Sequence, residues 1–329
     1  MGSTQGKRGS PGGDSGHQRR QVRASSRYRG RFAPSPTGPL HFGSLLAALA
    51  SYCDARSRGG EWLLRIEDVD LPRSRAGAAE AIAETLASYG FAWDGPIVRQ
   101  SERSALYADA LDRLRARGLL FACACTRREL EAAPPGASGE RIYPGTCRRS
   151  PVAAAEGRSW RVGVDDTPIS FVDRLQGRQQ QRLDRDVGDF VVRRADGLFA
   201  YQLAVVVDDA LQGITDVVRG ADLLASTPRQ IWLQRQLGFA TPAYLHHPIA
   251  VDRSGQKLSK ESGAARLPDD PLPALCRAWR FLGQTVPDRP PRSLASFWRW
   301  AHVAWNARAL PPVAMLPASA DAMIQPFAR

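Results

Sequence analysis

Residues 31–44 read RFAPSPTGPLHFGS and constrain this chain more than any other stretch. Residues 30–33 form an apolar-ended run that predicts a short strand. A loop rich in proline, with Gly38 inside it, cannot continue that strand. His41, Phe42, Gly43 and Ser44 then open LLAALASYCDA, a run with helical periodicity. A strand, a turn and a helix start in that order present free backbone N–H groups and the positive end of a helix dipole, which suit a phosphate. Gly43 lets a ligand approach the backbone, and His41 stands where it can donate to a phosphate. A plain strand–loop–helix connection carries the same local pattern, so the rest of the chain has to decide.

At 329 residues, 43% of them hydrophobic, the chain can bury a substantial core as one large domain or two. No apolar run approaches the roughly 20 residues that span a bilayer, so no membrane partner is expected. Residues 1–28 are rich in Gly, Ser, Arg and Gln, lack an apolar export core, and read as a disordered basic tail. The expected compartment is the cytoplasm and the expected state a monomer. The net charge of +12 and pI near 10.1 favour a polyanionic partner. Five cysteines, an odd number, argue against a disulfide framework.

After the tail, strands and helices alternate. Residues 61–67 predict a strand, 76–89 a helix stopped by Gly90, and 101–117 a helix with Leu106, Ala110, Leu111 and Leu114 on one face. That rhythm indicates parallel βαβ units and an α/β fold, with a site beyond the carboxyl ends of the strands. Residues 119–150 break it. They contain Cys123-Ala-Cys125, a capping box at Thr126–Glu129, and Tyr143-Pro-Gly-Thr-Cys147, and read as an inserted subdomain. Residues 159–203 read as strands, with 189–203 a hairpin turning at Ala195-Asp196-Gly197. The main alternation returns over 204–224, where Asp208 and Asp209 end a strand-like run and are candidate site residues without an assigned role. A helix near 228–237 and a strand ending at Val251 follow. The remaining 68 residues after Glu261 are proline-rich with a Trp-bearing helix at 294–305.

Only three of the 45 basic residues are lysines, and two of these, Lys257 and Lys260, lie in GQKLSKE. Lysine in an arginine-saturated chain suits a place that needs a compact, mobile ammonium.

Together these motifs resemble class I glutamyl-type aminoacyl-tRNA synthetases. His41-Phe42-Gly43-Ser44 is similar to their HIGH box, and KLSKE at 257–261 to their KMSKS loop. RIEDVDLPR, FAYQLA, VVRGADLL and the CxC…YxxxC insertion resemble the same family in the same order, over about 70% of the chain. The resemblance implies a Rossmann-type (HUP-like) parallel-sheet catalytic domain over 29–118 and 187–261, a zinc-binding, acceptor-type subdomain inserted at 119–186, and a short helical C-terminal segment at 262–329 without an anticodon-binding domain.

The implied chemistry is amino-acid activation, in which a carboxylate attacks the α-phosphate of ATP and pyrophosphate leaves; positioning and charge stabilisation suffice. The resemblance makes His41, Lys257 and Lys260 the catalytic group. It assigns ATP, with magnesium, to Gly38, His41, Gly43, Ser44 and Lys260. Glutamate falls to Arg31, Phe32, Ala33, Pro34, Ser35, Glu67, Tyr201 and Arg219. An arginine can grip a carboxylate bidentately and Glu67 can pair with the ammonium. Ser44 and Glu261 depart from the family pattern, which puts loop dynamics in question more than activity.

By spacing, three thiols within 25 residues are either zinc ligands or buried free cysteines. No histidine lies between His41 and His246 to complete a site. The resemblance supplies Tyr143, giving Cys123, Cys125, Tyr143 and Cys147 as a structural zinc set.

The early stop after Glu261 and the variants HFGS, IEDVD and GQKLSK resemble a truncated paralogue family, the glutamyl-queuosine tRNA(Asp) synthetases. It activates glutamate without tRNA and transfers it to queuosine in the tRNA(Asp) anticodon loop. Three alternatives remain at this point: a minimal glutamyl-tRNA synthetase charging a tRNA 3′ end, a non-catalytic tRNA-binding paralogue, and another HIGH-box nucleotidyltransferase.

Overall fold

A computed structural model describes residues 1–2, 27–136, 139–252, 254–258 and 265–318. Most of the basic tail, and Lys260 and Glu261 of the KLSKE motif, lie outside the described residues. The chain starts with β1 (Arg29–Phe32), α1 (Phe42–Arg56), β2 (Glu61–Ile66), α2 (Ala78–Ser88), β3 (Val98–Arg99) and α3 (Ser104–Ala116). These three strands run parallel, with Arg31 opposite Leu63 and Arg65 opposite Val98. The expected strand–loop–helix around the first motif is present, and His41 is the N-cap residue of α1. In α3, Leu106 turns outward and Tyr107 takes its place in the core, because its hydroxyl reaches Asp208 (2.8 Å).

Next come β4 (Leu120–Cys123), α4 (Arg127–Glu131), α5 (Thr146–Arg149), β5 (Ser159–Val162), β6 (Ile169–Asp173), β7 (Gly177–Gln181), α6 (Leu183–Asp186) and β8 (Phe190–Arg193). The expected capping box opens α4. Segment 119–186 divides between two sheets. Strands β4 and β5 pair antiparallel with each other and with β8, whereas the β6–β7 hairpin joins the strands that follow.

Those are α7 (Tyr201–Leu211), β9 (Asp216–Gly220), α8 (Thr227–Leu237), β10 (Ala243–His247) and β11 (Ile249–Val251). The strand-like run ending at Asp208 and Asp209 is helical instead: it is α7. Residues 203–209 are all buried, packed by α3, α8 and β8. A helix covered on so many sides loses the polar stripe that marks helical period, and burial overrides the β preference of Val205–Val207. The parallel sheet runs β9–β10–β6, with Arg219 opposite His246 and Tyr244 opposite Asp173. Strand β1 borders β9 as well as β2, since Thr215 N donates to Arg29 O (2.9 Å). Chain order therefore reverses between β1 and β9, the place where open α/β sheets leave a ligand crevice.

The C-terminal part forms α9 (Pro271–Phe281), α10 (Leu294–Ala304) and β12 (Met315–Pro317), which pairs with β11. It shares the core of α1 and β2: Trp298 meets the rings of Tyr52 and Phe91, and its indole N–H donates to Tyr89 O (2.9 Å). Gly90 makes this possible. Its φ is +78°, and a Cβ there would lie 2.4 Å from Trp298 Nε1. Behind α1, the buried carboxylate of Asp54 accepts from Tyr28 (2.7 Å), both terminal nitrogens of Arg174 (2.7 and 2.8 Å) and Trp305 (3.4 Å). This one group ties α1 to the N-terminal strand, the β6–β7 turn and the C-terminal segment. Among the described residues, no helix is long and apolar enough to cross a membrane.

Candidate active site

A cleft of about 210 Å³ opens where β1 and β9 end and where α1 and α7 begin. Arg31, Phe32, Ala33, His41, Gly43, Ser44, Glu67, Tyr201, Arg219 and Lys257 line it. Pro34, Ser35 and Gly38 belong to the loop beside it and are not on its wall; Ser35 is exposed and Gly38 buried. Lys260 lies outside the described residues.

One side of the cleft is an ionic lattice. Arg31 is 4% exposed and donates from Nε (3.0 Å) and Nη2 (3.4 Å) to the carboxylate of Asp209. Arg65, fully buried, donates to Asp209 (2.8 Å), to Gln212 Oε1 (2.6 Å) and more distantly to Glu67 (3.4 Å). Burial alone would raise the Asp209 carboxyl, but Arg31 and then Arg65 outweigh it and hold it below its ordinary value. Burial raises Glu67 despite both arginines. Two cations thus face two carboxylates, and Asp209 takes the closer contacts. That leaves Glu67 as the carboxylate available to an ammonium.

Arg219 differs. It is 5% exposed, and its partners are all uncharged groups: His246 Nε2 (3.0 Å from Nε), Thr227 Oγ1 (2.9 Å) and Gln230 Oε1 (2.8 Å) from Nη2, and Tyr201 Oη (3.5 Å from Nη1). Among the described residues no carboxylate reaches it. The bidentate grip expected from sequence is therefore only partly free, since Nε and Nη2 are committed inside the protein and Nη1 is left toward Tyr201 and the cleft. Burial raises the Tyr201 hydroxyl, with Arg219 opposing, so it remains a neutral donor.

His246 is wholly buried against Asp173, with Nδ1 2.6 Å from Oδ2. Burial, opposed by Asp173 and reinforced by Arg219, lowers its pKa to about 4. Between the ordinary value near 6.5 and about 4, the unfolded chain binds a proton that the folded one refuses. Stability therefore falls as pH drops through that window, by about 3 kcal/mol. His247, also lowered by burial, adds a loss of the same sign. Urea unfolding at pH 7, 5.5 and 4.5 is expected to give a shallower acid loss in His246→Gln than in the wild type; parallel curves would show that His246 does not set it.

Toward the nucleotide half, Gly43 sits under the His41 ring. A Cβ on it would meet His41 Cε1 at 3.0 Å and the carbonyl of Leu258 at 3.2 Å, so glycine allows the HFGS helix start and the Leu258 backbone to close on one another. Leu258 N donates to Ala250 O (2.9 Å), which anchors this end of the loop to β11. Lys257 pairs with Asp222 just beyond β9. A helix start, a histidine and a lysine on one wall suit the phosphates of a nucleotide.

The cysteine cluster stands apart, on β4, the loop that follows it and α5. The Sγ atoms of Cys123, Cys125 and Cys147 lie within 4.8 Å of one another. Cys125 and Cys147 are 3.6 Å apart, and Tyr143 Oη is 3.6 and 3.8 Å from Cys123 and Cys125. A tetrahedron with Zn–S bonds near 2.3 Å has edges of about 3.8 Å, so the donor set fits zinc. Arg161 adds an independent sign. It is buried, it donates to Cys123 Sγ (3.4 Å) and Asp189 O (2.8 Å), and its guanidinium lies 4.1 Å over the Tyr143 ring. A buried cation facing sulfur and a phenol, with no carboxylate partner among the described residues, matches a cluster that carries negative charge.

Sequence reasoning left out several participants. Arg65 lies inside RIEDVDLPR, and an arginine on an apolar strand just before two acids was the available signal. Asp209 is singled out but without its role. Asp173, His246, Thr227 and Gln230 have no local signature. Asp208 is not a cleft residue: it accepts from Gln100 (2.8 Å), Arg103 (2.6 Å) and Tyr107 and pins α7 to α3.

Known proteins share this sequence and fold. The family model of class I tRNA synthetases (E and Q), catalytic domain, matches residues 27–271. The Glutamyl-Q tRNA(Asp) synthetase of Dechloromonas aromatica is 58% identical over 300 residues, covering 89% of this chain and 100% of its own length. Its namesake from Thiobacillus denitrificans is 53% identical over 293 residues, covering 88% and 97%. Among solved structures, the glutamate-tRNA synthetase of Elizabethkingia anophelis matches with a TM-score of 0.73 at 25% identity, over 90% of this chain and 69% of that one. With its motifs in family order around a cleft at the β1–β9 switch point, the chain belongs to the class I tRNA synthetases of the E and Q type and, within them, to the glutamyl-Q tRNA(Asp) synthetase family.

Proposed function

We propose that this protein activates glutamate with ATP, without tRNA, and transfers it to the queuosine base of tRNA(Asp). The observation that carries the amino-acid choice is Arg219, a buried cation at the cleft with no carboxylate partner among the described residues. A substrate side-chain carboxylate supplies the missing charge; a neutral amide does not. Arg219 Nη1 and the Tyr201 hydroxyl hold that carboxylate, while Glu67 takes the ammonium. An oxygen of the substrate's α-carboxylate then attacks the α-phosphorus of ATP, which arrives as its magnesium complex. The bond to the bridging oxygen breaks, and pyrophosphate leaves with its charge met by His41, the start of α1, Lys257 and Lys260. In the second step a hydroxyl of the queuosine cyclopentenediol attacks the acyl carbon, loses its proton, and AMP departs. The acceptor rests on the relatives: those at 51–58% identity over most of this chain are glutamyl-Q tRNA(Asp) synthetases.

ATP–pyrophosphate exchange without tRNA tests the first step. Exchange is expected with glutamate and not with glutamine or aspartate. No exchange with glutamate, or exchange only after tRNA is added, would overturn the reading.

The antiparallel sheet bearing the cysteine cluster is read as the inserted subdomain that meets the tRNA, and zinc at Cys123, Cys125, Tyr143 and Cys147 as its structural staple. Metal analysis of protein purified without chelator is expected to find about one zinc per chain. Cys147→Ala is expected to lose most of it and to melt at lower temperature. Metal-free wild-type protein with an unchanged melting temperature would remove the zinc assignment.

A further inference from the structure

Arg219 reaches the cleft only because two of its three nitrogens are fixed behind it. Its Nε donates to His246 Nε2 (3.0 Å), so that ring nitrogen must be bare. The ring proton then resides on Nδ1, 2.6 Å from Asp173 Oδ2. The other Asp173 oxygen accepts from the backbone N–H groups of Leu175 (2.9 Å), Gln176 (2.8 Å) and His246 (3.2 Å). That carboxylate is saturated with donors and cannot swing away. Gln230 is oriented in the same manner: its amide N–H₂ donates to Gln202 Oε1 (2.9 Å), leaving its oxygen for Arg219.

We propose that Asp173 is a positioning residue for substrate recognition: through the tautomer it imposes on His246, it holds Arg219 with Nη1 toward the cleft. The proposal rests on the reading of Arg219 as the cation for the glutamate side chain. Asp173 stands one imidazole away from the buried guanidinium and makes no contact with it, so the place of a direct counter-charge is left to a substrate carboxylate. Asp209 does the opposite for Arg31, occupying two of its nitrogens directly. Asp173 comes from β6, a strand that joins the sheet only through its parallel pairing with β10, so substrate recognition depends on a segment distant in sequence from every recognised motif.

Asp173→Asn keeps the oxygen that caps the turn but places an amide N–H₂ or a weaker acceptor against Nδ1. The ring then takes the other tautomer and turns an N–H toward the Nε–H of Arg219. The test uses the full-length chain labelled with ¹⁵N-histidine; with five histidines per chain, His246 is assigned by its loss in His246→Gln. In the wild type Nδ1 is expected to carry the proton and Nε2 to be bare, and Asp173→Asn is expected to reverse this. In ATP–pyrophosphate exchange the same variant is expected to raise the KM for glutamate about 30-fold with the KM for ATP unchanged. The double variant Asp173→Asn with His246→Gln is expected to recover most of the glutamate affinity, because an amide can offer oxygen to Arg219 whatever stands at 173. A bare Nδ1 in the wild type overturns the proposal even with exchange intact. A reversed tautomer with an unchanged glutamate KM, or a double variant no better than Asp173→Asn, overturns it too. Absence of glutamate exchange in the wild type instead overturns the functional reading, and the ¹⁵N signals then still report whether the relay exists.

Discussion

Asp209→Ala is expected to lower the unfolding free energy by about 4 kcal/mol, a large part of the 5–15 kcal/mol that holds a typical domain. Its carboxylate is the nearest counter-charge of two buried arginines, Arg31 and Arg65, and both lose it at once. Because the folded carboxyl is held below its ordinary value, the stability it contributes is present above the unfolded value near 3.9 and is lost as pH falls through the folded one. The effect therefore belongs to neutral pH and shrinks in acid. A second consequence is functional. Without Asp209, Arg65 turns to Glu67, already 3.4 Å away, and Glu67 no longer serves a substrate ammonium. Urea unfolding at pH 7 checks the first part, and a loss below about 1 kcal/mol would show that the arginines find other partners.

Arg219→Leu is expected to raise the KM for glutamate at least about 100-fold, from about 3 kcal/mol of lost charge-assisted binding, with the KM for ATP little changed. Arg219→Lys is expected to rescue little of this. One ammonium on a flexible stem cannot satisfy His246, Thr227 and Gln230 together and still face the cleft. Exchange kinetics with glutamate and ATP varied separately measure the split. A glutamate KM within threefold of wild type in the Leu variant would move the recognition site elsewhere.

Much of the scaffold was legible because its punctuation is local. The prolines of 34–39, Gly38 and His41 mark the end of β1 and the start of α1, and Thr126 with Glu129 marks the start of α4. Helix α7 was not, because its apolar residues meet neighbours on nearly every side and leave no stripe to read. The β6 and β7 strands fall in a stretch that reads as strands, but the sheet they join was not legible, because it is set by β10, about 70 residues later. Nor was the sharing of one core by α1 and α10, which depends on Trp298 fitting over Gly90. The same division holds for the cleft. Side chains in compact motifs, Arg31, His41, Glu67, Tyr201 and Arg219, could be nominated because those motifs resemble a known family. The groups that orient them, Asp209, His246 and Asp173, come from separate segments and meet only in three dimensions.

Labelled glutamate, ATP and two preparations of tRNA(Asp), one with queuosine and one without, test the central claim most directly. The account predicts label on the queuosine-bearing tRNA alone, in the nuclease fragment that contains the anticodon loop. Label at the 3′ end, or equal labelling of both preparations, would contradict it.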